Sequence, residues 1–178
     1  LINQEEIGLL DLKSTRSRMA LVMQDPFLFS FSIRENILQG NEQLSDNELE
    51  AVLKAARCRD LIERLPQGLD TIVAEGGASL STGEQQLISI ARAMARKPEL
   101  IILDEATSSV DSQTEKKLQQ ALLELMKGRT SLTIAHRLST ARNADRILVL
   151  HKGRLKEQGS HEEKKKKKGL YFKLNQFQ

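Results

Sequence analysis

Apolar positions in this 178-residue chain switch between short unbroken runs and a spacing of three or four, and the switches mark out its elements. "RMALVMQ" (18–24) predicts a short buried strand, "DPFLFSFS" an aromatic-rich loop after it, and "IRENIL" (33–38) a short helix. Ser45 predicts a helix start, with Glu48 completing a capping box and the helix running to about Arg57. Residues 66–80 bear proline and glycine and read as a loop whose sharpest turn is Gly76–Gly77. In "STGEQQLISIARAMAR" (81–96), Leu87, Ile90, Ala91 and Met94 follow the i, i+3, i+4, i+7 spacing of an amphipathic helix, which Pro98 stops. Residues 100–103 form a continuous apolar run, as in a strand covered on both faces. A helix follows over roughly 112–127, with Leu118, Leu122 and Leu125 on one side and Gly128 at its end. "TSLTIA" (130–135) predicts a strand, "LSTARNA" (138–144) a short helix and "DRILVLH" (145–151) another strand. Gly153 turns the chain back into "RLKEQG", and "GLYFKLNQF" reads as helical. Strand–helix–strand–helix–strand implies parallel pairing with helices on the sheet faces. No internal repeat, linker or second domain is legible.

Composition sharpens this reading in two places. Hydrophobic residues are 39% and charged residues 29%, as in an ordinary globular protein, and no apolar run approaches the ~20 residues of a membrane span. The net charge of +3 is misleading, because Lys164 to Lys168 form a run of five. Without that run the count is 22 basic against 24 acidic residues, so the body carries no general nucleic-acid footprint. The run itself reads as a solvated segment or as a contact for an anionic membrane surface, and five lysines are not expected to cover a core face. The single cysteine, Cys58, excludes an intramolecular disulfide and reads as a small buried residue in a reducing compartment. "LINQEEIGLL" has no basic signal-peptide start and no initiator Met, so the chain is expected to begin inside a longer protein.

The candidate chemistry centres on "LIILDEATSSVD" (100–111), where an apolar strand runs into Asp104 and Glu105. In doubly wound sheets ligands gather at the carboxyl ends of strands. Side chains alternate along a strand, so the two acids point differently and can do different jobs. One carboxylate suits magnesium, which keeps several waters, and a second, off the metal, can orient or deprotonate an attacking water. Alternatively, the two acids simply open a solvated loop.

"LSTGEQQLISIARAMARKPELIILDEATSSVD" followed by "TIAHR" resembles the nucleotide-binding domains of ABC transporters, in the order signature, Walker B, D-loop and His switch. The likeness runs from about Ile2 to Gly159, and "QDPFLFSFSIRENI" and "IVAEGGASLS" are similar to the exporter branch. The resemblance implies an α/β fold: a P-loop NTPase-like parallel sheet with helices on both faces and an α-helical signature subdomain, truncated at the N-terminus. It divides the chain at about 25–97 (signature subdomain), 98–160 (Walker B to His-switch part of the core) and 161–178 (C-terminal helical tail). It implies ATP and Mg²⁺ as ligands. Asp104 would hold the metal largely through water, and Glu105 would be the general base. His136 would contact the γ-phosphate, and Gln24 would reach the metal and water and link them to a transmembrane partner. Asp111 would be the D-loop acid facing a second ATPase subunit. His151 and His161 match no motif.

Ser81 and Glu84 also form a capping-box pattern, as do Ser45/Glu48 and Ser112/Glu115, so the box alone marks only a helix start. Gly83 in the first turn lets another molecule approach the backbone, and the helix N-terminus favours an anion there. In the resemblance that anion is the γ-phosphate of ATP held by the opposite subunit, so Ser81, Gly83 and Glu84 would serve a partner's nucleotide in a head-to-tail dimer, homomeric or heteromeric. Thr82 stands where glycine is commonest, Glu84 where glutamine is usual, and Gln85 where a basic residue is frequent.

No G-x-x-x-x-G-K-[ST] motif and no Gly-Lys pair occur in the 178 residues. The chain by itself is therefore expected to bind ATP weakly or not at all and to give no turnover. The leading expectation is an ATPase domain at the cytoplasmic face of the membrane, fused upstream to a transmembrane domain and powering export. A soluble ABC ATPase and a non-catalytic docking surface stand as alternatives. Phe27 and Phe29 either line a groove for a helix of the membrane part or fill the core.

Overall fold

The computed structural model describes residues 5–39, 41–74, 77, 79–104, 111–135, 142–167 and 169–176. Its contacts divide the chain between Leu132 and Thr133 into two compact units.

The first unit opens with α1 (Leu12–Ser17), a helix not foreseen from its polar sequence. Asp11 makes it possible, its Oδ2 accepting from the Ser14 amide at 2.7 Å. Strand β1 (Met19–Val22) pairs in parallel with β2 (Leu100–Asp104), Met19 opposite Leu100 and Val22 opposite Leu103. With β3 (Thr130–Ile134) they form a sheet in the order β1-β2-β3, and the boundary between the units falls inside β3. β1 and β2 were both read as fully buried, and here the structure corrects the sequence. Ala20, Val22, Ile101 and Leu103 are buried, but Leu21 is 54% exposed and Ile102 half-buried. A run apolar at every position does not say which face will be covered. Among the described residues only the first set joins the helical core.

That core is organised by α5 (Thr82–Ala95), which packs on α2 (Ile33–Leu38), α3 (Asp46–Ala55), β1 and α6 (Ser112–Met126). α5 was expected to have one apolar face. Instead ten of its residues are buried, Ile88 as completely as Ile90, because neighbours lie on several sides of it. Gln86 is buried among them with neither amide atom hydrogen-bonded, and nothing in the structure explains it. α4 (Arg59–Arg64) was not foreseen, and within the stretch read as a loop, 66–80, a 3₁₀ turn forms at Gly68–Asp70. Of the expected turn, Gly77 is described, with φ +82°, and Gly76 lies outside the described residues. Cys58 is buried as expected, and burial pushes its thiol up to about 12.

Capping boxes form at Ser32/Glu35, Ser45/Glu48 and Ser81/Glu84. The one expected at Ser112/Glu115 does not. Asp111 is the N-cap of α6, its Oδ1 accepting from the Gln113 and Thr114 amides at 3.0 Å each, and Ser112 is already helical. Asparate-type caps serve as well as serine, and here one sits a residue earlier. Two residues past the end of α5, Lys97 takes φ 50°, and its ammonium reaches Glu48 Oε1 at 2.5 Å. This bond, then those from the Ser45 amide and hydroxyl, hold the Glu48 carboxyl down at about 2.

The aromatic loop does not fill the core. Phe27, Phe29 and Phe31 are 59%, 38% and 46% exposed, Phe27 edge-on to Phe29 and Phe29 stacked on Phe31. Beneath them Asn36 is fully buried. Its Nδ2 donates to the carbonyls of Phe29 (2.9 Å) and Ser32 (3.0 Å), and its Oδ1 accepts from the Phe29 amide at 2.9 Å.

The second unit contains β4 (Ile147–His151) and β5 (Arg154–Gly159), an antiparallel hairpin. Lys152 (φ 48°) and Gly153 (φ 70°) turn it, the two positive φ values a type I′ turn requires. α7 (His161–Lys167) and α8 (Leu170–Gln176) follow, and Tyr171 packs with Ile147 and Val149. The expected helix over 138–144 lies mostly outside the described residues. The lysine run was not expected to cover a core face, yet Lys164 is only 3% exposed, its Nζ 3.8 Å from Glu157 Oε2. Its neighbours Lys165, Lys166 and Lys167 are exposed, as helix periodicity requires. The long alkyl stem lets one lysine of the run take an inward position.

Ile88→Ala is expected to cost about 3 kcal/mol, read by denaturant unfolding, while Leu150→Ser on the exposed hairpin face stays within about 0.5 kcal/mol. Because the Glu48 pKa is depressed in the folded state, its contribution is fully present above the ordinary 4.5 and is lost as pH falls toward about 2. Lys97→Met should return the Glu48 titration, followed by carboxyl NMR, toward 4.5.

Candidate functional site

The sequence-predicted site residues fall into two groups. Gln24 follows β1 by two positions, and Asp104 is the last residue of β2. The parallel register, with Val22 opposite Leu103, brings both to the carboxyl end of the same strand pair. Gln24 is exposed and Asp104 half-buried. Both offer hard oxygen donors, a carboxylate and an amide carbonyl, which is the donor type Mg²⁺ takes. Glu105 and His136, the expected base and phosphate contact, lie outside the described residues.

The second group is at the start of α5. Ser81 Oγ accepts from the Glu84 amide at 3.3 Å, and Glu84 Oε2 accepts from the Ser81 amide at 2.8 Å. The box uses those two amides, and those of Thr82 and Gly83 belong to the same first turn, where the helix dipole favours an anion. Gly83 is buried, so the backbone there is closely enclosed. Glu84 would oppose an anion, but Arg64 of α4 bonds to its Oε1. Burial raises the Glu84 pKa, and the Ser81 amide and then Arg64 outweigh it, so the carboxyl titrates below its ordinary range. The Arg64 pairing had no signal in the sequence, since twenty residues separate the partners. Gln85 stands where a basic residue was looked for. Its Nε2 instead donates to the carbonyls of Gly77 and Leu80, both at 3.0 Å, tying the preceding turn to α5.

Asp111 was expected to face a second subunit. In this chain its carboxylate caps α6, and its pKa is lowered first by the Thr114 side chain and then by the Thr114 amide. Sequence reasoning also missed Asn36 and Arg92. The only signal for Asn36 was a polar residue among the apolar positions of "IRENIL". Arg92 lies between the apolar positions Ala91 and Met94 of α5 and was not singled out.

The parallel pair β1–β2 thus carries Gln24 and Asp104 at one end, and α5 carries a capped N-terminus. Comparison with known proteins gives the family. The family model described as "ABC transporter" matches residues 1–108. The chain is 49% identical over 178 residues to an "Uncharacterized ABC transporter ATP-binding protein YfiC" of Bacillus subtilis (strain 168), covering all of this chain and 30% of that protein. It is 48% identical to an "ATP-dependent lipid A-core flippase" of Syntrophus aciditrophicus (strain SB), again over 100% of this chain and 30% of the relative. Among solved structures, "Structure of a bacterial Atm1-family ABC exporter with ATP bound" matches with a TM-score of 0.90 at 41% identity, over 99% of this chain and 31% of that one. The chain belongs to the ABC transporter family. It spans about 30% of the length of these two curated relatives. Among the described residues no helix is long and apolar enough to cross a membrane.

Ser81→Ala should lower stability by about 1 kcal/mol through loss of the α5 cap, whereas Ser81→Asp should stay within about 0.5 kcal/mol. Thermal unfolding measures both.

Proposed function

We propose that this chain is part of an ATP-hydrolysing domain that powers export across a membrane, working as a head-to-tail pair with ATP between two subunits. A transmembrane domain fused upstream and a position at the cytoplasmic face of the membrane belong to the same reading. The observation that carries it is the strand-end pair Gln24 and Asp104 in a chain that superimposes almost completely on an exporter solved with ATP. Asp104, with Gln24, holds Mg²⁺, which when bound offsets the negative charge of the terminal phosphates. Glu105 takes the proton of the attacking water, and His136 holds the γ-phosphate in line. Ser81 and Gly83, with Glu84 closing the cap, present the α5 N-terminus to the nucleotide of the opposite subunit. Asp111 stands at the subunit junction. Arg64 supports this reading, because it offsets the Glu84 charge that an approaching phosphate would meet. The exposed Phe27, Phe29 and Phe31 offer an apolar seat for a helix of the membrane part.

The 178-residue chain alone contains no Gly-Lys phosphate loop and should give no turnover with MgATP. In the complete polypeptide, Glu105→Gln should cut turnover by roughly a hundredfold or more while nucleotide binding persists. Steady-state ATPase assays beside binding titrations decide it, and equal rates would remove Glu105 as the base.

A further inference from the structure

Arg92 is the residue of α5 that a packing role explains least. Its Nε donates to the Asn36 carbonyl at 2.7 Å, one terminal nitrogen to Asn36 Oδ1 at 2.8 Å and the other to the Phe27 carbonyl at 3.0 Å. Its guanidinium carbon also lies 5.6 Å from the centre of the Phe29 ring. Among the described residues no carboxylate pairs with it. Withdrawing a charge from water to hold carbonyl oxygens costs more than filling the same space with an aliphatic side chain. What the arrangement provides is a fixed geometry. The planar fork grips Asn36 and Phe27, and Asn36 in turn holds both the amide and the carbonyl of Phe29. The whole exposed aromatic loop is thereby fastened to one turn of α5. Arg92 lies nine residues after Gly83, about 14 Å along the same helix axis.

We propose that Arg92 is a positioning residue that makes the aromatic loop and α5 move as one body, so that a nucleotide engaged at Ser81 and Gly83 and a helix seated on Phe27–Phe31 influence each other. This rests on the function proposed above, and deepens it by naming the side chain through which the two surfaces are joined. The loop is clamped from both sides: the Phe31 carbonyl accepts from the Val73 amide at 2.9 Å, and Asn36 and Arg92 hold it from within. Without Arg92 the loop would keep its ties to residues 71–73 and to Asn36 of α2, but would lose its direct hydrogen bond to α5 at the Phe27 carbonyl.

Hydrogen–deuterium exchange on the complete polypeptide tests this, with and without magnesium and a non-hydrolysable ATP analogue. In the wild type the analogue should slow exchange about fivefold or more both in residues 81–90 and in residues 27–33. Arg92→Lys keeps the charge but loses the fork, and Arg92→Gln loses both. In either variant, protection of 81–90 should persist and protection of 27–33 should disappear. Arg92→Lys is the decisive variant should the glutamine variant not fold. Protection of 27–33 unchanged in Arg92→Lys would reduce Arg92 to a packing residue. Wild-type protection confined to 81–90 would likewise overturn the coupling while sparing the nucleotide reading. No wild-type protection at 81–90 would instead take down the nucleotide reading itself, and this proposal with it.

Discussion

Helix α5 has to satisfy four neighbours at once. It lies against β1, against α6 and against the small helices α2 and α3, with ten of its fourteen residues buried. A helix so enclosed cannot rotate or slide without opening the core at Ile88, Ile90 and Ala91. Its ends are secured by different chemistry. The Ser81/Glu84 box and the Arg64 pairing hold the start, and Lys97 joins the end to the capping box of α3 through Glu48. The sheet edge, the aromatic loop and the proposed anion-binding turn all take their places from this one element.

Polar side chains near the site are engaged before any ligand arrives, each in a way that bears on how a ligand could be received. Glu84 is turned back on its own helix and neutralised by Arg64, so the helix dipole at Gly83 is not cancelled by a free carboxylate. Gln85 secures the turn at Gly77, where a side chain would meet the glutamine amide and φ is +82°. Asp111 caps α6, its carboxylate held by the Gln113 and Thr114 amides. The strand-end group is more open, with Gln24 exposed and Asp104 half-buried at neighbouring positions of a parallel register.

Local chemistry was the legible part. Two of the three capping boxes that form, Ser45/Glu48 and Ser81/Glu84, were read as serine followed by glutamate, because the bonds involved span three residues; Ser32/Glu35 carries the same pattern and was not singled out. The hairpin at Gly153 and the run from β2 toward Asp104 were equally plain. α1 was missed because its start depends on a single aspartate cap rather than on periodicity. The cap of α6 was misplaced by one residue because Asp111 and Ser112 are both good N-caps and only the backbone chooses between them. Lys164 was misread because composition treats five lysines alike, whereas a helix turns one of them inward.

What the amino-acid order determined unaided is therefore most of the elements, two of their capping boxes, and a family resemblance resting on motifs a few residues long. Tertiary structure alone decided which face of β1 and β2 is covered, that α5 is central rather than one-sided, and that Phe27, Phe29 and Phe31 stay outside the core. It also chose the partners of Arg64 and Arg92, across twenty and fifty-six residues of chain. The physical reason is reach. Hydrogen bonds within a turn are written in neighbouring residues, whereas burial and ion pairing depend on what the rest of the chain brings alongside.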